Sequence, residues 1–277
     1  MTDATPSPSF LEALTSCPIP RYSYQGKEQL RKDFQDLINQ GHLDQEFLLL
    51  SEIPPGTFNT EFLESEESPF SHTVTYDRRL HLLLIKLSVT AALETAAYGF
   101  GDMLKGAASR IASPLRWCKG YHFTEDGGKV PNGAWRPVRL PHGRSPEWPT
   151  CVLEVSYSES RSKLVNDIRD WFRASGGDVK VVFTIEVDRE VPKILVEQWV
   201  QGHHREQAIT IAKSGDNVAI SGAPLEIAYE KVFLCRPHTP AQKMLRIHES
   251  ALEDFANAVW EHQGFTEIQR LSEEPSI

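Results

Sequence analysis

The stretch Trp148-Pro-Thr-Cys-Val-Leu-Glu-Val-Ser156 decides the fold class. Its apolar run, opened by proline, predicts a strand that is buried on both faces. A helix is expected directly after it, with Ser158 or Ser160 as the N-terminal cap. The helix has an apolar stripe at 3.6-residue spacing, formed by Leu164, Ile168, Trp171 and Phe172. A buried strand followed by an amphipathic helix indicates a sheet with helices packed on it.

The flanking sequence extends this pattern in both directions. Upstream, we expect a long helix over 77–98, a strand over 107–114, and a second strand over 129–139 that two prolines make irregular or place at an edge. Downstream, Ser175-Gly-Gly ends the helix, and strands over 179–187 and 193–200 are joined by a hairpin turn at 188–190. This order predicts an α/β (α+β) protein with a mixed central sheet flanked by helices.

The two ends of the chain carry weaker signals. A helix is expected over 27–40 and an acidic loop over 51–72. Short strands are expected over 208–212 and 218–221. A closing helix is expected over 239–262, with Thr239 as N-cap, Pro240 at its first position and Gly264 past its end. We therefore divide the chain into an N-terminal extension (1–72), a core (73–202) and a C-terminal extension (203–277) whose last helix packs on the core.

Composition and charge narrow the class of protein. The chain has 277 residues, a formal net charge of −9 and 40% hydrophobic residues, which is typical of a soluble globular protein. The sequence shows no secretory signal, and its four cysteines are far apart, so we expect reduced thiols in a nuclear or cytoplasmic, non-secreted protein. Residues 71–185 hold 11 acids and 16 bases, which makes the middle third basic. This part of the chain is either a solvated surface with a few local ion pairs or a positive surface for phosphates.

Glu154 is the residue that most directly suggests a functional site. Side chains alternate along a strand, so Val152, Glu154 and Ser156 share one face. A carboxylate inside an apolar run is unfavourable unless it is paired, hydrogen-bonded or bound to a metal. Two interpretations are therefore open: Glu154 is a metal ligand, or it caps a buried network or pairs with a nearby arginine or lysine.

The segments from Lys129 to Pro137 and from Trp148 to Ser160 resemble a group of PD-(D/E)xK nuclease-like proteins of filamentous fungi. The shared motifs are Lys129-Val-Pro-Asn-Gly-Ala-Trp-Arg-Pro and Trp148-Pro-Thr-Cys-Val-Leu-Glu-Val-Ser-Tyr-Ser-Glu-Ser, and the likeness continues from Lys163 to Trp199. It covers about 70 residues. The resemblance implies a restriction-endonuclease-like fold and Mg²⁺-dependent hydrolysis of phosphodiester bonds.

The resemblance also identifies where this sequence departs from the family. The family's metal-binding aspartate falls on Asn132, its glutamate on Glu154 and its lysine on Ser156. Asn132 and Glu154 are thus the implied metal ligands, but Asn132 lacks the negative charge that Mg²⁺ prefers. Lys163, or alternatively Lys180, is a candidate for a displaced catalytic lysine, and Glu94 for a further carboxylate.

Three hypotheses about function follow. The first, which we favour, is a degenerate nuclease-like protein that binds nucleic acid or a protein partner without cutting. The second is an active nuclease that uses Mg²⁺, and the third is a structural or regulatory interaction domain. DNA or RNA would be contacted through Lys129, Arg136, Arg139 and Arg144, and no membrane partner is expected.

Overall fold

The computed structural model describes residues 19–39, 47–63, 74–86, 90–111, 114–118, 122–124, 127–158 and 161–265. The strands are β1 (Arg21–Ser23), β2 (Phe47–Ser51), β3 (Val74–Asp77), β4 (Leu82–Lys86), β5 (Leu115–Trp117), β6 (His122–Thr124), β7 (Gly127–Lys129), β8 (Gly133–Pro137), β9 (Cys151–Tyr157), β10 (Val181–Val187), β11 (Lys193–Val200), β12 (His204–Ser214), β13 (Asn217–Ser221), β14 (Leu225–Ala228) and β15 (Met244–Ile247). The α-helices are α1 (Lys27–Asn39), α2 (Pro55–Phe58), α3 (Ala91–Arg110), α4 (Arg161–Ala174), α5 (Tyr229–Phe233) and α6 (Glu249–Gln263).

The larger sheet has the strand order β13-β12-β11-β10-β9-β8-β5. Strands β9 and β10 run parallel with Val152 opposite Val182, and α4 makes the crossover between them. The other neighbours in this sheet are antiparallel. Every residue of β9 and β10 is buried, as the apolar run predicts for a central strand covered on both faces.

Helices cover both faces of this sheet. On one face, α3 and α6 pack together over the alternate residues of β9 and β10 that include Leu153, Val155 and Phe183. On the opposite face, α4 packs Ile168, Trp171 and Phe172 against Val152 and Val182. Glu154 lies on the α4 face because it alternates with Leu153 and Val155 along β9.

The smaller sheet, of order β1-β2-β4-β3-β7-β6, adjoins the α4 face of the larger one. Its β1 and β2 are parallel, and its other neighbours are antiparallel. Gly127 in β7 has a φ of 151°, and a Cβ there would lie 1.9 Å from the Tyr76 carbonyl oxygen. Only glycine allows β7 to come this close to β3. Residues 130–132 carry the chain from this sheet into β8 of the larger one.

These findings confirm the predicted class, a mixed sheet flanked by helices, and the arrangement is consistent with a restriction-endonuclease-like α+β fold. They also confirm α1, the central strand β9, helix α4 and its glycine stop, the β10–β11 hairpin, and strands at 208–212 and 218–221. The part of the predicted order from β9 onward is present as β9, α4, β10 and β11, whereas five strands, β5 to β9, and not three separate α3 from α4. The boundaries proposed for the three parts of the chain stay predictions.

The predicted helix over 77–98 is confirmed only for residues 91–98, and the predicted strand over 107–114 is wrong because α3 continues to Arg110. Residues 82–86 form β4, which pairs with β2 and β3, while the Asp77 carboxylate accepts from the Arg79 and Leu80 amides in the preceding turn. The helix of this region is α3, which begins after Thr90, whose Oγ1 accepts from the Leu93 amide at 3.4 Å. A short apolar run fits a strand and a helix equally well, and here strand pairing determined the outcome.

The predicted closing helix over 239–262 is wrong in its first half. Thr239 caps only a short 3₁₀ helix, Pro240–Gln242, and residues 244–247 then form β15 against β14. Helix α6 starts at Glu249, and Gly264 takes the left-handed conformation at its end, as predicted. Residues 1–18, 64–73 and Ser160 lie outside the described residues, and within the described part of the chain no helix is long and apolar enough to cross a membrane.

Candidate functional site

The predicted catalytic residues lie where the two sheets and α4 meet. Glu154 and Ser156 of β9 and Lys163 of α4 line one small pocket, which has room for about one water molecule. Phe47 and Lys86, from the smaller sheet, close the pocket on another side. The structure thus brings together three of the four residues that the motif comparison singled out.

Asn132 lies beside this pocket and forms a hydrogen bond with the backbone of β9. Its Oδ1 accepts from the Val155 amide at 2.9 Å, and the Lys86 ammonium donates to the Val155 carbonyl. In the β8–β9 register Pro131 would stand opposite Val155, and proline has no N–H to donate. Asn132 and Lys86 therefore satisfy the backbone groups that β8 leaves open.

Glu154 is held by the protein's own groups. Its side chain is 3% exposed, and its Oε1 accepts from Trp171 Nε1 at 2.6 Å. The Lys129 ammonium lies 3.5 Å from the same oxygen. The interpretation of Glu154 as a member of a buried network that pairs with a lysine is therefore the one that the structure shows.

Asp167 completes this network from the next turn of α4. It forms ion pairs with Lys129 and with Lys163, the latter at 2.6 Å. All four side chains of this cluster, Lys129, Glu154, Lys163 and Asp167, are at least nine-tenths buried. With two ammonium groups and two carboxylates, the cluster is balanced in charge, as buried ionic groups need to be.

The four groups differ in how strongly each favours its charged form. Burial would raise the pKa of Asp167, but Lys129 and Lys163 hold it below the ordinary value of 3.8. Burial also raises the pKa of Glu154, Lys129 opposes this rise, and the Asp167 charge adds to it. Lys129 keeps a raised pKa despite its burial because Asp167 and Glu154 both face it, whereas burial lowers the pKa of Lys163. Asp167 and Lys129 are therefore the firmly charged members.

Ser156, at the position of the family's lysine, has a buried hydroxyl with no hydrogen-bond partner among the described residues. Its neighbour across the pocket is Lys163, so the proposed displaced lysine does reach this place in the fold. Its ammonium is bound to Asp167. A catalytic role for either side chain stays a prediction.

Mg²⁺, the metal that the resemblance implies, does not fit the residues present. Mg²⁺ requires near-octahedral anionic or polar oxygens, several of them from water. Here Asn132 Oδ1 is engaged by the Val155 amide, and Glu154 Oε1 by Trp171 and Lys129. Two ammonium groups, on Lys129 and Lys163, would repel the ion. In the described ranges, no group of three His, Cys, Asp or Glu side chains is arranged to hold a metal.

The two alternative site residues lie elsewhere. Lys180 precedes β10, whereas Ser156 pairs with Glu186 at the other end of that strand. The Lys180 ammonium donates to the Gly177 carbonyl at 2.5 Å. Glu94 is exposed in the first turn of α3, a helix that packs on the other face of the sheet. Neither side chain joins the pocket, which corrects both expectations.

Two of the four basic residues proposed for nucleic acid point into the protein. Lys129 belongs to the buried cluster. Arg144 pairs with the Asp178 carboxylate and donates to the carbonyls of Trp148 and Asp178, at 3.2 and 2.9 Å. Its side chain is 10% exposed, and it also donates to the Ser145 carbonyl at 3.2 Å. The expectation that these two charges face a phosphate backbone is corrected, because both are already neutralised.

The other two basic residues lie on one edge of the larger sheet. Arg136 of β8 stands directly opposite Arg116 of the edge strand β5, and Arg139 follows in the exposed segment after β8. Trp117, next to Arg116, is 38% exposed. Within the described ranges none of these three arginines forms an ion pair with a carboxylate. Two like charges opposite each other are unfavourable without an anion between them.

A second buried carboxylate, Glu197 of β11, shows that ionic networks are a general feature of the α4 face. It is fully buried and receives hydrogen bonds from Arg161 at 2.9 and 3.2 Å and from Arg205 at 2.7 Å. Burial would raise the pKa of Glu197, but these arginines hold it below its ordinary value of 4.5.

Sequence reasoning missed three members of the site: Lys86, Asp167 and the polar edge of Trp171. Asp167 carried a signal, because it lies four residues after Lys163 on the same stripe as Leu164 and Ile168. An acid and a lysine inside an apolar stripe indicate a buried pair. Lys86 carried none, because its contact with Val155 depends on the pairing of β4.

Comparisons with known proteins add little. No family model and no curated protein matches the chain. Among solved structures, the chain is similar to a protein of Anabaena variabilis, described as a candidate nuclease belonging to DUF820, with 11% sequence identity and a TM-score of 0.34. The match covers 64% of this chain and 87% of that one. A likeness at this level assigns no function to this chain.

Proposed function

We propose that this chain is a nuclease-like protein that binds nucleic acid without hydrolysing it. The observation that supports the absence of hydrolysis is that Trp171 and Lys129 contact Glu154. Asn132 Oδ1 likewise accepts from the Val155 amide, so an ion would have to compete with these contacts at one oxygen of each implied ligand. Hydrolysis by this superfamily depends on such an ion to polarise the phosphate and activate water.

The binding of nucleic acid is supported by the arginine edge, which we define as Arg116, Arg136 and Arg139. Phosphate groups satisfy planar guanidinium groups well and relieve the repulsion between opposed arginines. We therefore favour nucleic acid over a protein as the partner.

A mobility-shift assay with single-stranded and duplex oligonucleotides tests the binding. We expect a shift at low salt that weakens as salt rises, and Arg116→Ala/Arg136→Ala/Arg139→Ala should reduce the log–log salt slope by about two to three. The matched control removes three surface arginines that are ion-paired elsewhere, namely Arg31, Arg173 and Arg246. If neither nucleic acid shifts at low salt, the partner is a protein or the domain is structural.

An active nuclease is the second candidate, because Lys163 does lie beside Ser156 and Glu154. Incubation with plasmid and single-stranded DNA in Mg²⁺ or Mn²⁺ separates the two proposals. We expect no metal-dependent cleavage by the natural chain and none by Asn132→Asp, whose carboxylate still accepts from the Val155 amide. Cleavage that a chelator stops and that Glu154→Gln abolishes would establish the active nuclease instead.

A further inference from the structure

One member of the buried cluster, Lys129, lies between two carboxylates that belong to different elements, Glu154 of β9 and Asp167 of α4. The Lys129 ammonium forms an ion pair with Asp167 and lies 3.5 Å from Glu154 Oε1. It is the one group of the cluster that contacts both acids, since Lys163 pairs with Asp167 alone. A single cation between two carboxylates from different elements is the usual arrangement around a bound divalent ion.

We infer that the Lys129 ammonium is a built-in replacement for a metal ion, and that Glu154 and Asp167 form a latent metal site which only Lys129 keeps closed. This inference deepens the proposed function, because it gives the reason why the site does not catalyse. It does not depend on nucleic-acid binding, and a failed mobility shift would leave it intact.

Charge and space both favour an ion once Lys129 is shortened. With Lys129 present, two ammonium groups balance two carboxylates, and a further cation gains little. Lys129→Ala leaves Lys163 as the one ammonium that pairs with an acid of the cluster, because the buried Lys86 ammonium of the same pocket donates to the Val155 carbonyl. The substitution also removes the side chain that lies between Glu154 and Asp167. Hard cations such as Mn²⁺ and lanthanides bind carboxylate oxygen and accept water as the remaining ligands.

Trp171 makes the test specific for this place. Its Nε1 touches Glu154, and its ring centre is 5.6 Å from the Lys129 ammonium. A Tb³⁺ ion bound in the ammonium's position is therefore close enough to be excited through this indole. We expect Lys129→Ala to show tryptophan-sensitised Tb³⁺ emission, which Mn²⁺ competes away. The natural chain should bind at least about tenfold more weakly, because like charges this close repel by several kcal/mol.

Two variants provide the controls. Lys163→Ala removes an ammonium from the same cluster but leaves Lys129 between both acids, so it should not gain Tb³⁺ binding. Adding Glu154→Gln to Lys129→Ala should abolish the gain. Equal binding by the natural chain and Lys129→Ala, or an equal gain in Lys163→Ala, would overturn the inference.

Measuring the melting temperature with and without Mn²⁺ tests the inference even if Lys129→Ala folds poorly. An ion that binds only the folded chain raises its melting temperature, so Mn²⁺ should stabilise Lys129→Ala and leave the natural chain unchanged. A Lys129→Ala chain that stays unfolded at every Mn²⁺ concentration also contradicts the inference.

Discussion

Asp167→Asn is the substitution whose effect on stability follows most directly from the site. The amide has the shape of the carboxylate but no charge. It leaves the buried ammonium groups of Lys129 and Lys163 with one carboxylate, Glu154, which touches Lys129 alone at 3.5 Å. Removing one partner of a buried ion pair lowers the free energy of unfolding by about 3–5 kcal/mol.

Glu154→Gln is the matched comparison, because it also replaces a buried carboxylate of the cluster by an amide of the same shape. The amide oxygen that this substitution introduces can still accept from Trp171 Nε1, and Lys129 keeps its ion pair with Asp167. Burial raises the pKa of Glu154 although Lys129 opposes the rise, so its charged form is stabilised less by the fold than that of Asp167, whose pKa is lowered. We expect the free energy of unfolding to change by no more than about 1 kcal/mol.

Urea unfolding at pH 7, followed by tryptophan fluorescence, measures both effects. In a thermal unfolding experiment, the melting temperature of Asp167→Asn should be lower by about 6–20 °C, at about 2–4 °C per kcal/mol in a chain of this size. The pKa of Asp167 is depressed in the fold, so its contribution is complete above the ordinary value of 3.8 and is lost as pH falls through the folded pKa. The gap between the natural chain and Asp167→Asn should therefore narrow in acid. An Asp167→Asn chain as stable as Glu154→Gln would refute this reasoning.

Three further predictions concern the scaffold. Arg144→Met should lower the free energy of unfolding by about 2–3 kcal/mol because it leaves backbone carbonyls without their donor, while Arg139→Met should change it by less than about 0.5 kcal/mol; urea titration compares them. Gly127→Ala should cost about 3 kcal/mol or more by overlap with a carbonyl, against about 1 kcal/mol for Gly143→Ala, whose added Cβ meets nothing within 4 Å; thermal unfolding measures this difference. Glu197→Gln should cost about 2–4 kcal/mol at pH 7. The arginines depress the pKa of Glu197, so its contribution to the free energy of unfolding is present above the ordinary pKa of 4.5 and is lost as pH falls through the folded pKa. Urea unfolding at several pH values from 7 to 3 measures this loss.

The parts of the fold that the sequence predicts well are those fixed by local patterns. The run around Val152 is apolar throughout and followed by a stripe of helical period, so strand and helix are both evident. The segment 82–86 has the same apolar character, but its strand pairing with β2 and β3 is a property of distant residues. Helical period alone therefore gives the wrong element there.

The candidate site divides in the same way. Glu154 is recognisable as a buried carboxylate from its strand, and the lysine interpretation of its partner follows from ordinary electrostatics. That its partner is Lys129 depends on β7, which belongs to a different sheet and is brought close by the turn at 130–132. The hydrogen bond from the Val155 amide to Asn132 likewise arises from strand register, and no motif comparison contains it.

Glu154 is bound by Lys129 and Trp171, and we propose that it holds no metal. A crystal of the natural chain soaked in Mn²⁺, with anomalous diffraction recorded at the manganese edge, tests it most directly. We expect no anomalous peak within coordination distance of Glu154 or Asn132, and electron density for the Lys129 ammonium between Glu154 and Asp167. An anomalous peak coordinated by Glu154, with Lys129 displaced, would contradict the account.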